Sequence, residues 1–199
     1  MSTGFRETVV RTIRRHGDAP GDLELVRGFI NTARLEGGVE LLRQPDDLAA
    51  WLRGHGLLAA GVVVADDDLE VAIAVRESLR DLAGVHAGRE MPAASSARLD
   101  AVAAACGLRP RFEAGGALSL APEVDGVAGA MGRLLGIVVA SAGHDDWARM
   151  KTCRNPHCRW AFYDVTRNRS AVWCDMAACG SRAKARRYYE KQRLSTPRG

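Results

Sequence analysis

The sequence predicts a mainly α protein of the α+β kind, with a helical amino-terminal domain and a small metal-stabilised module at the carboxyl end. Three observations carry that reading. Apolar residues recur at helical spacing through most of the chain. Strand-like alternation ahead of the tail is confined to one short stretch. Four of the five cysteines fall together, at 153, 158, 174 and 179. The 199 residues, 47% hydrophobic and 26% charged, are enough for one or two packed domains. The longest apolar run, Leu134–Gly143, is well short of the ~18 residues a membrane span requires. Met1–Pro20 mixes Arg, Glu and Asp with no apolar stretch, so it is no secretory signal and a cytoplasmic location is expected.

Taken in order, residues 1–20 read as a frayed lead-in, and 21–143 as the helical domain. Asp22 is placed to cap a helix carrying Leu23, Val26, Phe29 and Ile30, broken by Gly37-Gly38. Pro45-Asp46-Asp47 opens a second helix, with proline pre-set for the first turn and acids at the positive dipole end. Leu48, Trp51 and Leu52 are its apolar face, and Gly54 to Gly56 ends it. A third helix is predicted over 67–83, burying Ile73, Val75, Leu79 and Leu82. Its acidic start, Asp66-Asp67-Asp68 with Glu70, lacks the spacing of a calcium loop. Ser95-Ser96 is expected to cap a fourth helix ending at Cys106-Gly107, where Cys106 reads as a buried thiol. Arg109–Glu113 and Ala117–Leu120 form a hairpin around Gly115-Gly116, and Pro122-Glu123 begins a fifth helix running to Ala142. Gly126, Gly129, Gly132 and Gly136 line one side of it, as close helix packing requires. Composition and charge sign both change across Gly143–Asp146, so 147–199 is read as a separate unit.

Net charge is +4, from 28 Lys+Arg and 24 Asp+Glu, but it is segregated. Arg149–Gly199 holds 13 basic and three acidic residues, a balance of +10, which leaves −6 for the preceding part. A basic tail on an acidic body points to a polyanionic partner.

In the tail the cysteines read C-x4-C-x15-C-x4-C. Cytosolic thiols stay reduced, so metal is expected before disulfide. Zinc takes four tetrahedral ligands, and each short spacing presents two thiolates from one turn. Arg159–Tyr163 is expected to pair with Ala171–Trp173 across 164–170, followed by a helix with Cys179 in its opening turn. That order is treble-clef-like. A unit this small needs a closed, structural site, one Zn2+ per chain held by Cys153, Cys158, Cys174 and Cys179, with His157 a bystander. The final helix carries Arg182, Lys184, Arg186, Arg187, Lys191 and Arg193, and the turn before it adds Arg167 and Arg169. Arg182, Arg186 and Arg193 share one side and Lys184, Arg187 and Lys191 the other, as suits a helix lying between two phosphate backbones. Arg182 and Arg186 are the candidates for base edges, and Tyr188 and Tyr189 are expected to pack on the finger.

Asn31, Thr32, Arg76 and Arg80 sit on otherwise apolar helices. They read first as a buried hydrogen-bond network, and alternatively as an effector pocket in which an arginine meets an anion. No triad, carboxylate pair or open metal site argues for an enzyme.

The stretch Cys153…Cys158-Arg-Trp160-Ala-Phe162-Tyr-Asp164-Val-Thr-Arg167-Asn168, with Trp173-Cys174-Asp-Met176-Ala-Ala-Cys179-Gly180-Ser181-Arg182-Ala-Lys184, resembles the CGNR zinc finger of bacteria. Leu25–Thr32, Asp47–Leu52 and Arg76–Arg80 resemble that family's ABATE domain. Ser181 stands where the family has its name-giving Asn. The resemblance implies a stress-response transcription regulator that binds DNA through the finger, with the amino-terminal domain for sensing or dimerisation. Such a protein would be cytoplasmic and nucleoid-associated. A single finger buries little surface, so a homodimer is expected. The alternative is a zinc-stabilised module that engages protein or RNA.

Overall fold

The computed structural model describes residues 17–112 and 114–195. Residues 1–16 of the expected lead-in lie outside them. The rest of that lead-in is anchored at Ala19 and Asp18. Ala19 is buried, its N–H donates to Glu24 Oε2 at 2.9 Å, and Asp18 pairs with Arg27.

The chain runs α1 (Leu23–Ile30), β1 (Ala33–Arg34), β2 (Val39–Glu40), α2 (Pro45–Gly54), α3 (Asp66–Val85) and α4 (Ala93–Ala105). It continues with β3 (Arg109–Phe112), β4 (Leu118–Ala121) and α5 (Gly126–Ala142). A 3-10 turn (Trp147–Arg149) then leads to β5 (Met150–Thr152), β6 (Ala161–Tyr163), a π-turn (Met176–Gly180) and α6 (Ser181–Ser195). Three antiparallel two-stranded sheets result: β1 with β2, β3 with β4, and β5 with β6.

Helix α3 is the hub, packing on α1, α2, α4, α5 and β5. Phe29, Ile30, Leu48, Leu52, Val75, Leu79, Met131 and Leu134 are fully buried around it, each worth roughly 1.5–3 kcal/mol of burial. The same cluster takes in Trp147, Met150, Ala161 and Tyr163. The tail therefore shares this core, while Cys153, Cys158, Trp160, Phe162, Cys174 and Cys179 form a second cluster within the tail. Charge sign does change at 143–146, but one apolar core runs across that joint, because β5 and β6 turn one face toward α3 and α1.

Local departures have local causes. Helix α1 stops at Ile30 rather than at Gly37-Gly38, since Asn31 is drawn to β6. Those glycines, at φ +91° and +63°, make the β1–β2 turn instead. Asp22 occupies the N-cap position of α1 without a side-chain cap bond. Helix α4 begins on Pro92, and Ser95 lies within it, its hydroxyl donating to Asp81 Oδ2 at 2.6 Å. Helix α5 begins at Gly126, not at Pro122, because residues 122–124 wrap over its glycine side. That side is met by the end of α4, by residues 122–124 and by β4. A Cβ at Gly132 would lie 2.7 Å from Cys106 Sγ, and one at Gly136 2.5 Å from the Leu120 carbonyl of β4.

Candidate metal centre

Two tight turns supply the four thiols. In the first, Cys153 leaves β5 and its N–H donates to the Trp160 carbonyl at 2.9 Å. The Asn155 carbonyl accepts from the Cys158 and Arg159 N–H groups, and Asn155 Oδ1 accepts from His157 N–H, closing the loop on itself. His157 itself is exposed, as a bystander should be. In the second turn, Asp175 accepts from the N–H groups of Ala177 and Ala178, at 2.6 and 3.1 Å. A Cβ at Gly180 would stand 2.9 Å from Met176 Sδ, the end of a flexible and exposed side chain that can move aside.

What joins the two turns differs from expectation. Strand β6 pairs with β5, not with Ala171–Trp173. Residues 171–172 reach the first turn singly, through Arg154 N–H to the Val172 carbonyl at 2.8 Å. The organiser is a fully buried Asp164. One of its oxygens accepts from the Thr166 N–H and hydroxyl. The other accepts from Lys151 Nζ at 2.8 Å and Ala171 N–H at 3.0 Å. Lys151 also donates to the carbonyls of Arg169 and Ala171. Burial pushes the Asp164 carboxyl up, yet the bonds from Lys151 and Thr166 prevail and hold it below the usual aspartate range. Nothing in the sequence spacing pointed to this pair. The one available hint was its rarity, Lys151 being one of three lysines.

All four Sγ atoms are buried and lie within 4.8 Å of one another, with Cys158–Cys174 at 3.6 Å and Cys174–Cys179 at 3.9 Å. A tetrahedron of sulfurs about 2.3 Å from a central ion has edges of about 3.8 Å. The donor set therefore fits a closed four-thiolate site. So crowded a set of thiols ionises unevenly on its own. Bonds from Cys158 and Cys174 pull Cys153 down to about 2, while Cys158 is pushed up to about 12 and Cys174 is raised further. A cation lets all four be thiolates at once. Asn155 Nδ2 at 3.8 Å and Arg182 Nη2 at 3.3 Å already point at Cys179 Sγ.

Two family models match the chain: CGNR zinc finger over residues 149–192, and ABATE, "Putative stress-induced transcription regulator", over residues 23–144. The chain belongs to the ABATE family. None of the curated proteins matches it. In this ABATE protein the four cysteines gathered around the candidate metal position all lie within the stretch that matches the finger model. Ser181, standing for the family Asn, donates its hydroxyl to the Met176 carbonyl at 3.2 Å, so the position retains a turn-closing role.

The other candidate residues separate into two groups. Asn31, Thr32, Arg76 and Arg80 build an internal network, each bonded within the protein. Asn31 exchanges two bonds of 2.9 Å with the backbone of Ala161, extending β6 by a side-chain amide. Arg80, fully buried, donates to the carbonyls of Ile30 and Ala33 and, across the joint, to that of Arg159 at 3.1 Å. Arg76 grips Glu40 with two bonds of 2.7 Å and reaches Thr32 Oγ1 at 3.2 Å. Arg159 to Asp81, His86 to the Met150 carbonyl, and Arg89 to the carbonyls of Cys153 and Arg154 complete the seam between ABATE domain and finger.

The basic candidates are all exposed. Two are held within the chain: Arg169 meets Asp145 at 3.0 Å, and Arg182 binds both carboxylate oxygens of Glu36. Arg182 is thus committed to the β1–β2 turn and to Cys179. Arg167, Lys184, Arg186, Arg187, Lys191 and Arg193 face solvent. Tyr188 and Tyr189 do not pack on the finger. They are 58% and 63% exposed and meet each other edge to face at 5.7 Å. The reason is geometric: α6 packs mainly on the π-turn at its start, so these residues have left the finger behind.

Proposed function

We propose that this ABATE-family protein is a non-catalytic DNA-binding transcription regulator whose finger holds one Zn2+. In this reading α6 lies on duplex DNA in the nucleoid of the cytoplasm. The zinc identity rests on the donor chemistry: four sulfurs at tetrahedral spacing, closed to water, suit a structural zinc ion. The observation that carries the nucleic-acid reading is α6 itself. Lys184, Arg186, Arg187, Lys191 and Arg193 all stand exposed on a helix held mainly at its amino end. Such a rod can enter a groove and release counterions from both phosphate backbones. With Arg182 tied to Glu36, Arg186 becomes the foremost candidate for a base edge, and Arg182 a residue that sets the helix direction.

The test is a salt series of zinc-loaded protein binding genomic duplex fragments, with Cys174→Ser as control. Each phosphate contact contributes roughly −0.9 to the slope of log affinity against log salt. The reading expects a steep slope, a preferred fragment and loss of both in the variant. The exposed Tyr188–Tyr189 pair supports a second reading, in which the module stacks on unpaired bases of RNA or docks on a protein. Salt-insensitive or sequence-blind duplex binding beside tight capture of RNA would select it.

A further inference from the structure

Helix α6 is 15 residues long, about 22 Å, and packs mainly on the π-turn at its start. Where its far end points is therefore decided at its base. Arg182, in the first turn, donates through Nη1 and Nη2 to the two carboxylate oxygens of Glu36, and Nη2 also reaches Cys179 Sγ at 3.3 Å. One planar group thus ties the helix both to the metal centre and to the β1–β2 turn of the ABATE domain. That turn is firmly mounted. Arg76 of α3 holds Glu40 of β2 by two bonds of 2.7 Å, and Arg80 of α3 donates to the Ala33 carbonyl of β1 at 3.2 Å. Both strands are anchored to the hub helix. Between them Leu35, Gly37 and Gly38 are exposed, and Glu36 is the one partly buried residue of the turn.

A carboxylate at the base of a helix with six cations cancels one of them and repels phosphate. An exposed ion pair adds little stability in return. What a two-bond fork adds is direction, because a planar guanidinium meets a carboxylate in one plane. We propose that Glu36 is a positioning residue: the β1–β2 turn is a strut from α3 that aims α6 through Arg182. A swing of about 10° about Arg182 carries Arg186 sideways by about 1 Å and Arg193 by about 3 Å. Long cationic side chains follow a phosphate over such distances, whereas a hydrogen bond to a base edge, good over only a few tenths of an ångström, is lost. The consequence for sequence preference rests on the DNA reading; the aim of the helix does not.

Residual dipolar couplings of backbone amides in zinc-loaded full-length protein report the direction of α6 relative to α3. In the wild type both helices are expected to fit one fixed orientation. Glu36→Gln keeps the side-chain shape and removes the charge; it should shrink the α6 couplings, with those of α3 and the zinc content unchanged. Arg182→Lys, which keeps the charge and loses the fork, should do the same. On duplex DNA, Glu36→Gln should lose preference for the selected fragment by about tenfold or more, the worth of one base contact. Its salt slope should hold or steepen by about 0.9, since Arg182 becomes free for a phosphate. Unchanged α6 couplings in Glu36→Gln overturn the proposal, as does a variant that keeps the full preference of a discriminating wild type. Shrunken couplings in a protein whose wild type prefers no fragment uphold the strut and overturn the DNA reading alone.

Discussion

At the residue scale, the buried Lys151–Asp164 pair holds together the loop between the two cysteine turns. Asp164 uses both oxygens to hold the loop that returns the second pair of thiols, and its partner is 6% exposed. Asp164→Asn leaves that ammonium buried without a counter-charge, a change that typically costs about 3–5 kcal/mol. A clear fall in melting temperature with weaker metal retention is expected. The sign of the linkage is fixed by the lowered carboxyl. A depressed aspartate contributes its stability above its unfolded pKa and loses it only as pH falls through the folded one. The variant's deficit should therefore be flat across the neutral range and shrink only below about pH 4. Thermal melts at several neutral pH values check this, and a deficit that varies among them contradicts it.

At the element scale, the glycine side of α5 allows a paired experiment. Alanine is the better helix former by about 1 kcal/mol, so Gly→Ala in open helix should stabilise. Gly28 of α1 has nothing within 4 Å of its absent Cβ and meets that condition. Gly136 does not: its Cβ would press on a β4 carbonyl at 2.5 Å, backbone that yields only by shifting the strand. Overpacking of about 1–3 kcal/mol then outweighs the propensity gain. Denaturant titration should show Gly28→Ala slightly stabilised and Gly136→Ala destabilised; equal shifts would remove the packing argument. The same element shows where sequence was legible. The positions of α2 and α3, the β3–β4 hairpin and the four cysteines follow from periodicity, turn residues and ligand spacing, all local signals. The start of α5, Ser95 inside α4 and the pairing of β6 with β5 were decided by distant partners: Pro122 folding over Gly132, Asp81 receiving Ser95, and Asp164 reclaiming the returning loop. No spacing rule records those.

At the scale of the whole molecule, two of the buried polar residues, Asn31 and Arg80, bond across the joint between the ABATE domain and its finger. Asn31 extends β6, Arg80 spans from the end of α1 to Arg159, and Arg89 reaches the carbonyls of Cys153 and Arg154 beside the metal position. Met150 and Ala161 lie in the domain's own apolar core. Binding free energy at a structural metal site is folding free energy, and here it cannot stay local. If chelation melts the finger, the guanidinium of Arg80 loses one buried carbonyl, Asn31 loses both its bonds, and the core loses Met150. Hydrogen exchange of α3 amides, measured with and without chelator, reads that coupling directly. Loss of protection around Arg76–Gly84 alongside the finger is expected, together with a single unfolding transition in the loaded protein. Two independent transitions, with α3 protection untouched by chelation, would mean that the seam transmits nothing. Cooperative loss would make metal occupancy a control on the domain as much as on α6, because Glu36 of the β1–β2 turn and Cys179 hold the same arginine at the base of that helix.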